Sequence, residues 1–280
     1  MAAQSNNKET VEYLLSQGVS LEDRDNTGGT AIHSATENRD LNIVKYLISK
    51  GIDYKQKTNN GESAFLLACS NNSKEIVEYL LERGVDIDEV DNFGMNSLIR
   101  TVKIDHKTIA QFLIDKGVNL NHKDNDGLNA LQTAVNYGFK DMARLLIDNE
   151  IYVDSKDNEG KTALFHYNLD KETAELLLEG GTDINARDNN GKTALFYIKN
   201  KEVAKYLIEK GIERNLIAND GRTALHDACE NSNIELVETL ASNSIGINLK
   251  DGQGKTALDI AIEKEYTDIV DCLKQFGFSS

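Results

Sequence analysis

Among residues able to carry out catalysis or hold a metal, this chain of 280 residues has five histidines, three cysteines and 46 carboxylates. Their spacing does not suit those uses. His33, His106, His122, His166 and His226 are scattered, and the sequence neighbours of His33 and His226 offer no second ligand at metal-site spacing. There is no phosphate-binding glycine loop with its Gly-Lys-Ser/Thr, no HExxH and no nucleophile elbow. Cys69, Cys229 and Cys272 are odd in number and form no CxxC pair, as expected of reduced core thiols in a cytosolic protein. No catalytic, cofactor-binding or metal-ligating residue is assigned, and an enzyme is not expected.

Recognition is the chemistry that remains. Lys161, Lys192, Arg222 and Lys255 each directly follow a glycine, and Lys57, Lys123, Lys156, Arg187 and Lys250 each stand just before a turn-forming tetrapeptide. This basic ladder has two readings. One is charge balance against turn aspartates of neighbouring units, where exposed pairs contribute little. The other is an acidic or phosphorylated peptide bound along the C-terminal half through Lys161, Lys192 and Arg222. The whole chain carries a formal charge of −15, which opposes general binding to nucleic acid and leaves a basic partner open. The first 25 residues hold no apolar signal core, and no stretch approaches the roughly 18 apolar residues of a membrane span. No membrane insertion is expected, and the expected location is the cytoplasm or nucleus.

The glycines that precede those cations belong to a ruler. Gly28, Gly61, Gly94, Gly127 and Gly160 stand 33 residues apart, and Gly191, Gly221 and Gly254 continue at intervals of 31, 30 and 33. A fixed period of this size predicts stacked units, none of which can bury its apolar face alone. In the unit opening at Asp25, Asp-Asn-Thr-Gly is turn chemistry, with glycine supplying positive φ. Thr30 then caps a short helix. Ser63, Asn96, Asn129, Thr162, Thr193, Thr223 and Thr256 hold the same slot, and all eight are cap-competent. A second helix follows, with Ile43, Val44, Leu47 and Ile48 forming one apolar stripe. The next units repeat it as Ile76, Val77, Leu80, Leu81 and Ile109, Ala110, Leu113, Ile114. Gly18, Gly51, Gly84, Gly117, Gly181, Gly211 and Gly277 end second helices as left-handed caps. Glu150 and Ser244 stand in that slot without glycine's freedom, which marks them as soft joints.

This succession resembles the ankyrin repeat, whose signature is D-x-x-G-x-T-P-L-H-x-A. Asp25 to Ala35 (DNTGGTAIHSA) and Asn219 to Ala228 (NDGRTALHDA) match it best, and the resemblance covers essentially the whole chain. It implies an all-α, curved solenoid of helix-turn-helix units with short β-hairpin-like turns. Proline is absent, so T-P-L-H becomes T-A-L; alanine keeps high helix propensity there, and the fold should survive. By the resemblance, His33 and His226 hydrogen-bond locally and link turn to helix. Residues 1–24 form an N-terminal half repeat or cap, or else the scar of a longer chain. Residues 25–250 form seven repeats, of which 157–187 and 188–217 are shortened, and 251–280 a capping repeat with polar Asp271, Lys274 and Gln275. In the short units Phe165 and Phe196 replace the histidine, with Tyr167 and Ile198 where alanine is usual. Either the rings fill space left by a shorter helix, or a notch opens there.

The resemblance also places the binding face on the turn tips and the exposed ends of first helices. Most slots beside the repeating glycines are polar, but Phe93, Met95 and Ile104 fall in one unit and Leu128 and Tyr137 in the next. These five form a candidate apolar hot-spot patch. The expected function is non-catalytic protein–protein recognition by a monomeric adaptor, scaffold or targeting module that takes a protein or peptide partner. A regulatory inhibitor that occludes an enzyme or transcription factor is an alternative, as is the recognition domain of a larger enzyme.

Overall fold

The computed structural model describes residues 8–166, 169–243, 245–246 and 248–278. Tyr167 and Ser244, singled out above, lie outside the described residues. Among the described residues there are fifteen α-helices, two 3₁₀ turns and no strand; a single antiparallel bridge joins Val90 and Asn96. The chain divides into two compact units, residues 1–133 and 134–280.

In the first unit a lone helix, Lys8–Ser16, precedes three helix pairs. These are Ala31–Glu37 with Leu41–Ser49, Ala64–Ser70 with Lys74–Leu81, and Ser97–Val102 with Lys107–Asp115. Helix Ala130–Asn136 runs across the boundary in sequence. In the second unit Lys140–Asp148 is followed by a 3₁₀ turn, Ala163–Phe165, with helix Lys171–Glu179. A second 3₁₀ turn, Ala194–Phe196, pairs with Lys201–Glu209. Ala224–Glu230 with Ile234–Ser242, and Ala257–Glu263 with Thr267–Gln275, complete it. All-α, helix-turn-helix repeats are thus the architecture.

The apolar stripes form the core. Ile43, Val44 and Leu47 are buried, as are Ile76, Val77 and Leu80, and Ile109, Ala110 and Leu113. The fourth member of each expected stripe, Ile48, Leu81 or Ile114, is only half-buried, because it lies at the stripe's edge. The left-handed glycine caps have the expected conformation, from Gly18 (φ +87°) and Gly51 (φ +91°) to Gly277 (φ +84°). Glu150 occupies the same conformation at φ +63°. A further left-handed series, not expected from the sequence, closes the short loops between first and second helices: Arg39, Asn72, Asp105, Ser232 and Glu265.

Each turn is a small hairpin, held in most repeats by the aspartate that opens it; Thr58 and Ala218 stand there in the other two. Asp25 N–H donates to Gly29 O (2.8 Å), and Gly28 N–H donates back to Asp25 O (2.9 Å). The Asp25 carboxylate accepts from Thr27 N–H (2.8 Å) and Gly29 N–H (2.9 Å). Asp91, Asp157, Asp188 and Asp251 repeat that double acceptance. Successive turns are then joined through asparagine. Asn59 N–H donates to Thr27 O (2.8 Å) and Asn92 Nδ2 to Asn59 O (2.8 Å); Asn125 Nδ2 donates to Asn92 O (2.9 Å). In the second unit Asn189 and Asn219 do the same to Asn158 and Asn189. A Cβ on Gly28, Gly61 or Gly94 would lie 2.4 Å from the oxygen of the following asparagine's side chain. Close approach of the next turn, as well as positive φ, therefore demands glycine.

Candidate interaction surface

The first-helix cap residues are buried, and all but Thr162 and Thr193, whose Oγ1 atoms make no hydrogen bond among the described residues, close their helices through side chains. Ser63, Asn96, Asn129 and Thr256 accept from the backbone N–H three residues on (2.9–3.2 Å). Thr30 and Thr223 use a reciprocal arrangement in which the Nδ1 of His33 or His226 accepts the threonine N–H (3.0 and 3.1 Å). The Nε2 of each ring then makes a long-range contact, that of His33 with Gln56 O near the end of its own repeat and that of His226 with Lys255 O in the next (both 3.1 Å). His226 thus ties neighbouring repeats together, and His33 ties the two ends of one repeat, as well as linking turn to helix. Burial lowers both imidazole pKa values, so they stay neutral. The long-range half of this role was not legible because it depends on which distant carbonyl the fold presents.

Of the apolar candidates in the first unit, Phe93 is 57% exposed and Ile104 is exposed, while Met95 and Leu128 are half-buried. Phe93 and Met95 share one turn and Leu128 sits on the next, and the two turns are tied by Asn125 N–H donating to Phe93 O (3.0 Å). Phe93 is held from its own side as well, its N–H donating to Asp91 (2.8 Å). Tyr137 belongs to the second unit, where it is exposed and stacks on Phe139 at 5.7 Å. Beside Met95 is an ionic cluster absent from the sequence expectation. Arg100 Nη1 donates to buried Asp91 (2.6 Å), Nη2 to Glu62, and Nε to Ser70 (2.9 Å).

The basic ladder is engaged within the protein. Lys161 pairs with Glu159 (2.5 Å) and lies 4.5 Å from the centre of the Tyr197 ring. Lys192 and Arg222 converge on Asp227 (2.5 and 3.2 Å), and Arg222 also binds Glu230 (2.9 Å), which Lys264 approaches at 2.6 Å. Hydrogen bonds from Lys264 and Arg222 hold the Glu230 carboxyl below its usual range. Lys255 pairs with Glu263. The cations before the turns act on backbone instead. Arg24 Nη1 donates to Gly28 O (2.7 Å) and Lys57 O (2.9 Å), Lys57 to Val90 O (2.6 Å), and Lys156 to Arg187 O (2.8 Å). These are ties between turns of successive repeats.

The shortened repeats hold 3₁₀ turns where a first helix would stand, and their phenylalanines fill the vacated space. Phe165 and Phe196 are buried, and Phe165 meets Tyr197 at 5.8 Å. Tyr197 O–H donates to Asp188 (2.6 Å). The filling is incomplete: a hollow of about 620 Å³ remains, lined by Phe196, Ile198, Asp227 and Leu236 among others. Among the described residues no cluster of three His, Cys, Asp or Glu side chains has the arrangement of a metal site. The three thiols are free and buried; burial pushes that of Cys229 up to about 12. Among the described residues no helix is long and apolar enough to cross a membrane.

Comparison with known proteins agrees with this geometry. The family model described as ankyrin repeats (3 copies) matches residues 1–58, 54–124, 98–187 and 165–251. No curated protein matches the sequence. Among solved structures, the crystal structure of the human ASB11 ankyrin repeat domain is similar in fold, with a TM-score of 0.67 at 22% identity. That match covers 76% of this chain and 96% of that one. Ankyrin repeats generally serve protein–protein interaction, and the fold is typically non-catalytic. With turn, cap and helix pair recurring in register and the family model spanning most of its length, this chain belongs to the ankyrin repeat family.

Proposed function

We propose that the chain is a non-catalytic recognition module, an adaptor, scaffold or targeting unit, and that its turn edge and exposed first-helix ends take a protein partner. Phe93 carries this reading. A phenylalanine 57% exposed at a turn tip, fixed by hydrogen bonds from both sides, has the large apolar surface and rigidity of a binding anchor. Because that turn is ordered before any partner arrives, little conformational entropy is lost on binding. Met95, Leu128 and Ile104 would extend the contact in the same unit, and exposed Tyr137, in the second unit, is an anchor in its own right. We further propose that the module acts as a monomer in the cytoplasm or nucleus.

The test is partner capture by the Phe93→Ala, Tyr137→Ala variant. Capture should be lost while the melting temperature stays within the narrow range of ordinary surface substitutions, about 0.5 kcal/mol in stability. Unaltered capture would remove the patch from consideration. An acidic or phosphorylated peptide on Lys161, Lys192 and Arg222 takes second place, since it would have to displace Glu159, Asp227 and Glu230.

A further inference from the structure

The five-residue turn segments of the chain differ in charge between the first four repeats and the last four. Residues 25–29, 58–62, 91–95 and 124–128 carry five carboxylates (Asp25, Glu62, Asp91, Asp124 and Asp126) and no lysine or arginine. The segments 157–161, 188–192, 218–222 and 251–255 each contain a cation, and the structure pairs those cations with carboxylates. Within the first unit, Asp126 is exposed on the turn that carries Leu128, one repeat from Phe93. Glu37 is exposed at the end of the first helix Ala31–Glu37. Partial desolvation, and then the fields of Asp25 and Glu62, push its carboxyl above the usual range. Cations stand beside three of the first four turn segments, Arg24, Lys57 and Lys123; Arg24 and Lys57 donate to backbone carbonyls, and Arg100 is paired with Asp91 and Glu62.

Building on the docking reading above, we propose that the first unit's turn edge selects a basic peptide segment bearing an apolar anchor. The anchor packs on Phe93, Met95 and Leu128, and lysine or arginine side chains of the peptide lie along Glu37 and Asp126. Like charges on an acidic partner would be repelled at the same surface, so the acids contribute selectivity as well as attraction. The negative net charge of the chain draws such a segment in from solution.

The test uses three synthetic peptides of one length and one apolar pattern, with Lys, Gln or Glu at every polar position, titrated against the full chain by fluorescence anisotropy. The Lys peptide should bind about ten-fold or more tighter than the Gln peptide and weaken with added salt. Phe93→Ala should weaken its binding, and Glu37→Gln with Asp126→Asn should shrink the salt dependence. Equal or tighter binding of the Gln or Glu peptide, still lost in Phe93→Ala, overturns the basic partner while leaving the docking surface intact. Lys-peptide binding that ignores all three substitutions shows non-specific attraction and overturns the proposal, as does failure of all three peptides to bind. Melting curves of the variants, expected to match the parent, separate these outcomes from misfolding.

Discussion

A methyl group added at Gly61 and one added at Gly84 would meet different surroundings, although the two backbones are alike at φ +78° and +77°. At Gly84 nothing lies within 4 Å, so alanine would bear only the cost of a left-handed conformation, about 1–2 kcal/mol. At Gly61 the new atom would fall 2.4 Å from the Asn92 side-chain oxygen and 2.6 Å from its backbone nitrogen. Gly61→Ala should therefore destabilise the protein well beyond Gly84→Ala in urea denaturation. Equal losses would mean that the asparagine yields freely. Sequence reading assigned both glycines the same reason, positive φ. It missed the second reason at Gly61 because the obstructing atoms come from residues about one repeat away, and no local pattern records that approach. The cations' spacing was plain too, and charge balance between neighbouring units was one of its two readings; that Lys192 would meet Asp227, a helix residue of the following repeat, was not legible.

At the scale of the element, what is encoded within a few residues was readable. Turn tetrapeptides and the paired helical stripes appear where their local chemistry puts them, down to Glu150 in a glycine's place, but Thr162 and Thr193, in the shortened repeats, cap no helix. Glu150→Gly should raise stability by about 1 kcal/mol by relieving a left-handed non-glycine residue. Thermal denaturation will check this, and an unchanged or lowered midpoint would show that the surroundings offset the strain. The two intervals of 31 and 30 residues announced an irregularity without stating its form. Deleting residues from a first helix leaves too few for a turn of α-helix, so Ala163–Phe165 and Ala194–Phe196 close as 3₁₀ turns and aromatic rings occupy the space. The left-handed loop residues Arg39, Asn72 and Glu265 escaped notice because their side-chain types give no common signal.

For the molecule as a whole, stability sums contributions within repeats and between neighbours, and the two buried histidines contribute one such contact to each compact unit. Unfolding returns His33 and His226 to the ordinary value of 6.5, whereas burial holds them lower in the folded state. Between those values the unfolded chain binds more protons. Their contribution is therefore complete above about pH 6.5 and is lost as pH falls through the folded values. Glutamine is a natural replacement, since Gln132 already accepts the Asn129 N–H (3.1 Å) from the same position of its helix. The His33→Gln, His226→Gln protein should show a flatter decline in denaturation midpoint from neutrality to about pH 5. An undiminished slope would place the pH sensitivity in other groups.

Gly28, Gly61 and Gly94 in the first unit, and Gly160 and Gly191 in the second, each meet the asparagine of the following turn. Within a unit such a copy carries the socket for its successor, so tandem duplication in register supplies both halves of the new joint. Where Gly252 replaces asparagine, the joint behind it is closed by backbone alone, through Gly252 N–H to Asp220 O (2.9 Å). The socket at Gly254 has open space before it, with nothing within 4 Å. That is the point from which this protein could be lengthened by design, one asparagine-bearing turn at a time.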